Sequence, residues 1–362
     1  YCSDGMNSRK WSTIEVPSQW ELQGFGEYSY GRWYTIKGAK PPVETGIYRT
    51  TFNIPAKWKD KQVTIVFEGV MTDTEVFVNG ESTGDVHQGG FNRFTYNITS
   101  KIKTGKNDLE VKVSKESADK DVNAAERKAD WWIFGGIYRP VYLEAKPAVN
   151  IERIAVDAKA DGTLYADVFT TPLEEGYAIT AHLTPVQNDG HSMKPQSQSL
   201  KVGNEHAVSF RWENIEVWTT ETPNLYNLEL TLIDKEKKKV HTFSERIGFR
   251  TIEFREKDGL HLNGTKIVLK GINRHSFHPD GGRTTNKEIS LMDGKLIKEM
   301  NMNAVRFHYA PDKHFMDVCD SLGIFVVSEL AGWQNAYNTE VGSKIVKELV
   351  TRDVNHPSII LW

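Results

Sequence analysis

Hydrophobic positions along the chain keep one spacing through two long stretches and change it after the second. From Tyr1 to about Lys146 they alternate with polar residues at period 2. Ile47–Asn53, Gln62–Phe67 and Thr74–Val78 read as strands, Asn79-Gly80 is a tight hairpin turn, and Leu109–Val113 and Val141–Leu143 add further strands. Short strands punctuated by Gly and Asn, with no helical period between them, predict a jelly-roll sandwich. From about Pro147 to Glu253 the alternation runs over a smaller unit. Strands are expected at Ile151–Val156, Leu164–Phe169, Ala178–Thr184, His206–Phe210, Tyr226–Ile233 and Val240–Ile247, with a charged hairpin turn at Asp234–Lys239. That spacing predicts an immunoglobulin-like sandwich, here without a Cys pair. After Gly259 strand and helix take turns. Ile267–Ile272, Asn303–Phe307, Ile324–Val327 and Ile359–Trp362 read as strands, and Glu288–Met300, Asp312–Leu322 and Gly342–Asp353 as helices. This order predicts parallel strands with right-handed crossovers, the first half of a (β/α)8 TIM barrel. The expected domains are residues 1–146, 147–253 and 254–362.

In such barrels the chemistry gathers at the C-terminal strand ends. The residues there are Asn273, Arg274 and His275, then Arg306, His308 and Tyr309, then Glu329. Arg306 and Glu329 could form a cross-strand ion pair. His275 and His278 suggest a metal pair, but no third ligand follows at a sensible spacing, so no metal is expected. The long loop Lys115–Ile133 carries Asp119, Asp121, Asp130, Trp131 and Trp132, and long loops on rigid β scaffolds are often functional. Read alone, Asp130 is equally a solvated loop acid.

Composition narrows this picture. A length of 362 residues with 39% hydrophobic and 26% charged residues is that of a globular, multidomain chain, and no apolar run approaches a bilayer span. A net charge of −3 with interspersed signs argues against nucleic acid as the main partner. Ten Trp and thirteen Tyr offer flat aromatic faces suited to sugars, or to a β-rich core. Cys2 and Cys319 are the only cysteines, so no disulfide framework exists and the compartment is left open; Cys319 reads as a small core residue on a helix. The first residue is Tyr1 with no signal-peptide pattern after it, as expected for a processed or truncated start.

A set of motifs carries a family resemblance. These are Val16-Pro17-Ser18-Gln19-Trp20-Glu21-Leu22-Gln23-Gly24, Trp131-Trp132-Ile133-Phe134-Gly135-Gly136-Ile137-Tyr138-Arg139, Ile247-Gly248-Phe249-Arg250, Leu262-Asn263-Gly264, Lys270-Gly271-Ile272-Asn273-Arg274-His275 and Arg352-Asp353-Val354-Asn355-His356-Pro357-Ser358. In this order, across nearly the whole chain, they resemble glycoside hydrolase family 2, and within it the bacterial β-galactosidases of the Bacteroides type. The resemblance implies a retaining exo-β-glycosidase acting on terminal β-linked sugars, without a cofactor. It places Asp130 in the barrel mouth as a ligand of sugar hydroxyls, makes Trp132, Lys270, His275, His308 and Glu329 substrate-binding, and gives Arg306 the task of orienting the nucleophile carboxylate. Trp333 is expected to stack on a sugar ring or to pack in the core.

Three departures from the family pattern stand out, the last of which bears on the preference for galactose; the residues that usually hold a glucuronate carboxylate are expected beyond Trp362. Ser328 stands beside Glu329 where an acidic pair is usual, Ala331-Gly332-Trp333-Gln334-Asn335 supplies no metal ligands, and Tyr30-Gly31-Arg32 lacks an Asn. Phe307-His308-Tyr309-Ala310-Pro311 matches a Ser-His-Tyr-Pro motif in a register that can shift by one residue. Retaining glycosidases need two carboxyl groups about 5 Å apart. The resemblance puts both catalytic Glu residues beyond Trp362, so the chain alone is expected to be inert. The alternatives are β-glucuronidase or another family 2 activity, and a non-catalytic carbohydrate-binding protein. The substrate is expected to be an oligosaccharide or glycoside, with no nucleic acid or membrane partner. Self-association as a homo-oligomer is expected through the open barrel edge, in a periplasmic or secreted setting.

Overall fold

A computed structural model describes residues 2–4, 11–39, 44–129, 131–186, 195–201, 207–332 and 335–362. Asp130, Trp333 and His206 therefore lie outside the described residues. The first unit is a jelly-roll sandwich. One sheet runs Cys2–Asp4, Thr45–Ile54, Gly105–Ser114, Asp73–Val78, Glu81–Ser82, and the facing sheet runs Val141–Pro147, Lys61–Phe67, Phe94–Asn97. Their alternate residues interdigitate, Val63, Ile65 and Phe67 against Val76, Val78, Val111 and Val113. Asn79 (φ 52°) and Gly80 (φ 82°) both take the left-handed region, as the tight turn requires.

The second unit is the immunoglobulin-like sandwich. Ile151–Ala158, Thr163–Thr170 and Ala207–Arg211 form one sheet, and Gln196–Lys201, Ala178–Pro185, Tyr226–Ile233 and Lys239–Ile247 the other. Ile154, Leu164, Leu183, Trp212, Leu228 and Leu230 fill its core. The strand Gln196–Lys201 escaped the pattern reading because Gln-Ser-Gln-Ser has no hydrophobic alternation. It is an edge strand held by main-chain pairing to Ala178–Pro185.

The third unit is the opening half of the barrel. Gly271–Asn273, Ala304–Arg306, Phe325–Val327 and Ile359–Leu361 lie parallel in that order, connected by helices Lys287–Glu299, Lys313–Leu322 and Thr339–Asp353. Asn286 caps the first helix through Ile289 N and Asn338 caps the third through Val341 N, while Gly323 (φ 67°) ends the second in a left-handed turn. Val305, Phe307 and Val326 face the helices and pack on Ile297, Phe315, Met316 and the fully buried Cys319.

Three expectations shift. The first barrel strand begins at Gly271 rather than Ile267. The residues before it form a hairpin, Ile252–Arg255 with Gly259–Leu262 and Thr265–Lys266, so the boundary expected after residue 253 falls inside a strand. The long jelly-roll loop is not featureless either: it folds into a short helix, Lys120–Val122, followed by a π-turn, Asn123–Arg127.

Buried polar staples hold the three units together. Arg139 Nε donates to Asp312 Oδ1 at 2.7 Å, and its Nη atoms donate to Phe91 O and Ala310 O at 2.6 and 3.0 Å, which fixes the jelly roll to the loop after the second barrel strand. Arg250 donates to Pro357 O and to Ile359 O, tying the immunoglobulin-like unit to the fourth strand. Asn355 accepts from Val156 N at 2.9 Å and donates to Ile154 O at 3.1 Å.

Candidate active site

Strand alternation decides which residues reach the barrel lumen. Counting by two from Arg306 gives His308, and from Val327 gives Glu329, so these share the lumen side, opposite the helix-facing Val305, Phe307 and Val326. Arg306 meets Glu329 as a fork, Nη2 to Oε1 at 2.7 Å and to Oε2 at 2.9 Å, with Nε to Oε2 at 3.1 Å. Such pairs are among the strongest charge-assisted contacts. The remaining nitrogen, Nη1, lies 3.4 Å from His308 Nε2.

His308 and His275 stack face to face, their centroids 4.6 Å apart and their planes within 8°. Burial, then His308, Arg283 and Arg274, lower the His275 pKa to about 4; burial, then Arg306, lower that of His308. Both rings are therefore neutral near pH 7, and their partners assign the tautomers. Arg306 only donates, so His308 Nε2 accepts and Nδ1 carries the proton, with no partner among the described residues. Tyr309 Oη receives Arg283 Nη1 at 2.6 Å and so donates its own hydrogen to His275 Nδ1 at 3.1 Å. That leaves His275 Nε2–H as a donor.

The jelly roll closes one side of this pair. Trp131 leans on His275 (5.8 Å) and on Tyr309 (5.6 Å, near perpendicular), while Phe91 stacks on Tyr309 at 4.1 Å. The π-turn sets Trp131 in place, since Glu126 O accepts its indole N–H at 3.1 Å. The Glu126 carboxylate, almost fully buried, accepts Tyr337 Oη at 2.7 Å and Gly90 N at 2.8 Å. Burial pushes its pKa up, and the Tyr337 hydrogen bond opposes this. Asn338 Nδ2 donates to Asp119 Oδ2 at 2.8 Å. The jelly-roll loop is thus clamped to the third β/α loop of the barrel, the loop that follows Glu329.

The expected site residues divide. His275, His308, Arg306 and Glu329 come together. Trp132 stands next to Trp131 but is 47% exposed, on the outer lip, against Tyr28 and Tyr30. Lys270 does not join them. It precedes Gly271 at the N-terminal end of the first strand, in a hollow lined by Lys298 and Asn303, whereas His275 lies beyond the C-terminal end. Its motif neighbour Arg274 turns to the helix layer, pairing with Asp293 at 2.7 Å over the Phe315 ring. His278 Nδ1 accepts from Asp280 N, while His275 Nδ1 bonds the Tyr309 hydroxyl. Pattern reading missed Arg283, Phe91, Glu126 and Tyr337. Arg283 follows Gly281-Gly282, where a Cβ on Gly282 would sit 2.2 Å from Gln19 Oε1, so the double glycine was the one available signal of close approach.

Among the described residues Asp317, Asp320 and His356 cluster closely enough to hold a metal. They lie away from the mouth and are already partnered: Asp320 takes His356 Nδ1 at 2.5 Å and Ser358 Oγ at 2.6 Å, and Asp317 takes Arg246 at 3.1 Å.

Comparisons with known proteins match the three units in order. Residues 5–147 match the family model for the glycosyl hydrolases family 2 sugar binding domain, residues 149–250 the model named glycosyl hydrolases family 2, and residues 252–362 its TIM barrel domain. A β-galactosidase of Psychromonas ingrahamii is 31% identical over 97% of this chain and 36% of its own length, and one of Priestia megaterium is 32% identical over 98% and 38%. Among solved structures, a β-glycosidase from Bacteroides vulgatus superposes with a TM-score of 0.79 at 27% identity, covering 99% of this chain and 47% of that one. A Bacteroides uniformis β-glucuronidase gives 0.77 at 28%, covering 99% and 44%. The chain spans less than half the length of these relatives. With matching models laid end to end over a jelly roll, an immunoglobulin-like sandwich and a half barrel, the chain belongs to family 2 of the glycosyl hydrolases.

Proposed function

We propose that this chain forms the substrate-positioning half of a retaining exo-β-glycosidase site for a terminal β-linked sugar, galactose first and glucuronate as the alternative. The observation that carries the reading is the neutral His275–His308 stack beside the Arg306–Glu329 fork, walled by Trp131. His275 Nε2–H and the Glu329 carboxylate offer a donor and an acceptor, which is what reading sugar hydroxyls requires. Arg306 Nη1, held only by the long contact to His308, is the donor left to orient a further carboxylate. Asp130 and Trp333 belong to the same proposal as loop ligands of the sugar.

Retaining hydrolysis needs a second carboxyl group facing the first at about 5 Å. Glu329 is tied to Arg306, so the 362-residue chain alone should bind glycosides without turnover. Titration calorimetry with methyl β-D-galactopyranoside and methyl β-D-glucuronide, beside an aryl β-glycoside assay, tests both parts. Binding lost on His308→Ala, without turnover, is expected. Turnover above a mock preparation would overturn the inertness, and affinity indifferent to His308→Ala would overturn the site. Self-association of the chain would register as concentration-dependent mass in light scattering.

A further inference from the structure

We infer that Arg283 is a positioning residue: acting through the Tyr309 hydroxyl, it holds the His275 ring in one tautomer and makes Nε2–H a donor of fixed sense. What His275 then meets rests on the glycosidase reading above, whereas the relay stands on this chain's geometry alone. Arg283 is buried with its charge unmatched. The buried arginines Arg139, Arg274 and Arg352 each meet a carboxylate, Asp312, Asp293 and Asp353, at 2.7, 2.7 and 2.6 Å. Arg283 is 3% exposed, yet among the described residues no carboxylate stands within ion-pair distance of it. A guanidinium kept there without an acid is costly, so its remaining contacts hold the reason for its place. Those are the faces of Tyr309, Trp131 and Phe91 at 5.0, 5.3 and 5.4 Å, and one side-chain hydrogen bond, Nη1 to Tyr309 Oη at 2.6 Å.

Packing leaves a single hydrogen free to choose. The Tyr309 ring is stacked by Phe91 at 4.1 Å and met edge-on by Trp131 at 5.6 Å, so its oxygen is fixed and only the hydroxyl hydrogen can turn. Arg283 settles that direction. A guanidinium donates and never accepts, so the Tyr309 hydrogen goes to His275 Nδ1, 3.1 Å away. A carboxylate in the same place would take that hydrogen for itself and leave Nδ1 free to carry the proton. The jelly roll pins the arginine's segment from both sides of the guanidinium's backbone: Arg283 N donates to Gln19 Oε1 at 3.1 Å, and Thr284 Oγ1 to Tyr138 O at 3.0 Å. Docking of the first unit thus sets a proton in the third.

A fixed sense is a form of selectivity. Neutral imidazole offers one donor and one acceptor, and a ring free to exchange tautomers could present either at Nε2. Held as it is, Nε2–H pairs with a hydroxyl, ether or carboxylate oxygen and excludes a protonated amine.

Ring nitrogen resonances of the 362-residue chain labelled with 15N-histidine test the relay at neutral pH, with His275 assigned from its loss in His275→Gln. The parent chain should show an unprotonated Nδ1 and a protonated Nε2. Arg283→Met, and Tyr309→Phe, which keeps the ring and removes the hydroxyl, should each draw the two shifts toward one another as tautomers exchange. Arg283→Lys, which restores a donor, should hold them apart. Methyl β-D-galactopyranoside and methyl β-D-glucuronide, titrated into the same chains, should bind about two- to fivefold more weakly to Arg283→Met, in step with the lost tautomer, and within about twofold of the parent to Arg283→Lys. Parent-like shifts in both Arg283→Met and Tyr309→Phe overturn the relay, as does an Arg283→Lys spectrum displaced as far as that of Arg283→Met. Shifts that move as expected in a chain that binds neither glycoside uphold the relay and sink the sugar reading; binding of either with unmoved shifts does the reverse.

Discussion

Removing the Arg139 guanidinium should loosen the jelly roll from the barrel. Arg139 and Asp312 are each 4% exposed, and the arginine fans its donors over Asp312 Oδ1 (2.7 Å), Phe91 O (2.6 Å) and Ala310 O (3.0 Å). Burial alone would raise the Asp312 pKa, yet Arg139 beside it holds the carboxyl below its ordinary range. Arg139→Met fills similar volume but strands a buried carboxylate with the Thr285 hydroxyl (2.8 Å) as its side-chain donor. Losing one partner of a buried pair costs about 3–5 kcal/mol, against a total stability of about 5–15 kcal/mol for a typical domain. Adding Asp312→Asn removes the stranded charge and should recover more than half of the loss, leaving about 1–2 kcal/mol for the two unmet carbonyls. Urea unfolding followed by tryptophan emission reads this, taking the first transition because a multidomain chain need not unfold in one step. Hydrogen exchange should localise the loosening to the loops around Phe91 and Tyr309. An Arg139→Met midpoint unchanged within error, or a double variant no better than the single, would refute the reasoning.

Stability should peak near pH 6.5 as far as two histidines govern it. Burial lowers and Asp320 more than offsets it to raise the His356 pKa to about 9, so its contribution, at most about 3 kcal/mol, is whole below 6.5 and fades from 6.5 through 9. His275, lowered to about 4, contributes fully above 6.5 and loses its share as pH falls from 6.5 through 4. Melting curves of His356→Gln should lose the alkaline slope, and an unchanged slope would exclude His356 as its source. Glu126→Ala should free the third β/α loop, seen as faster exchange at Tyr337–Val341 and a loss of about 1–3 kcal/mol, with Glu126→Gln closer to the parent chain. Gly135→Ala would place a Cβ 2.1 Å from the Trp20 ring and should cost about 1–3 kcal/mol in thermal or urea unfolding.

Architecture was legible wherever burial is one-sided, because alternation then tracks the core. Tyr226–Ile233, for example, buries Leu228, Leu230 and Leu232 and was found to the residue. It was illegible at Gln196–Lys201, an edge strand whose Gln-Ser-Gln-Ser run carries no apolar alternation, and at Ile267–Lys270, where Val268 and Leu269 are 68% and 39% exposed. The meeting of His275, Arg306, His308 and Glu329 was readable because all four stand at or just past C-terminal strand ends. Lys270 went wrong for the converse reason. The resemblance made Lys270 substrate-binding, but a strand separates it from His275. Glu126 and Tyr337 were out of reach because their meeting is a contact between two domains, 211 positions apart in the chain.

The signatures that identify the family turn out to be its joints. Gln19 Oε1 receives Arg283 N at 3.1 Å, Arg139 grips Asp312, Arg250 holds the carbonyls ahead of and within the fourth strand, and Asn355 bonds Ile154 and Val156. Asn263, in the left-handed region at φ 51°, bonds Thr251 N at 2.8 Å and Trp218 O at 3.1 Å. Each ties segments of different units together through a side chain of fixed hydrogen-bonding geometry, a position that tolerates few other residues. Sugar choice is under the opposite pressure. Under the proposed reading it would rest on His275, His308 and Glu329, which lie in the segments that follow the barrel strands. A sequence can therefore announce its family through its joints without specifying the sugar of the proposed site.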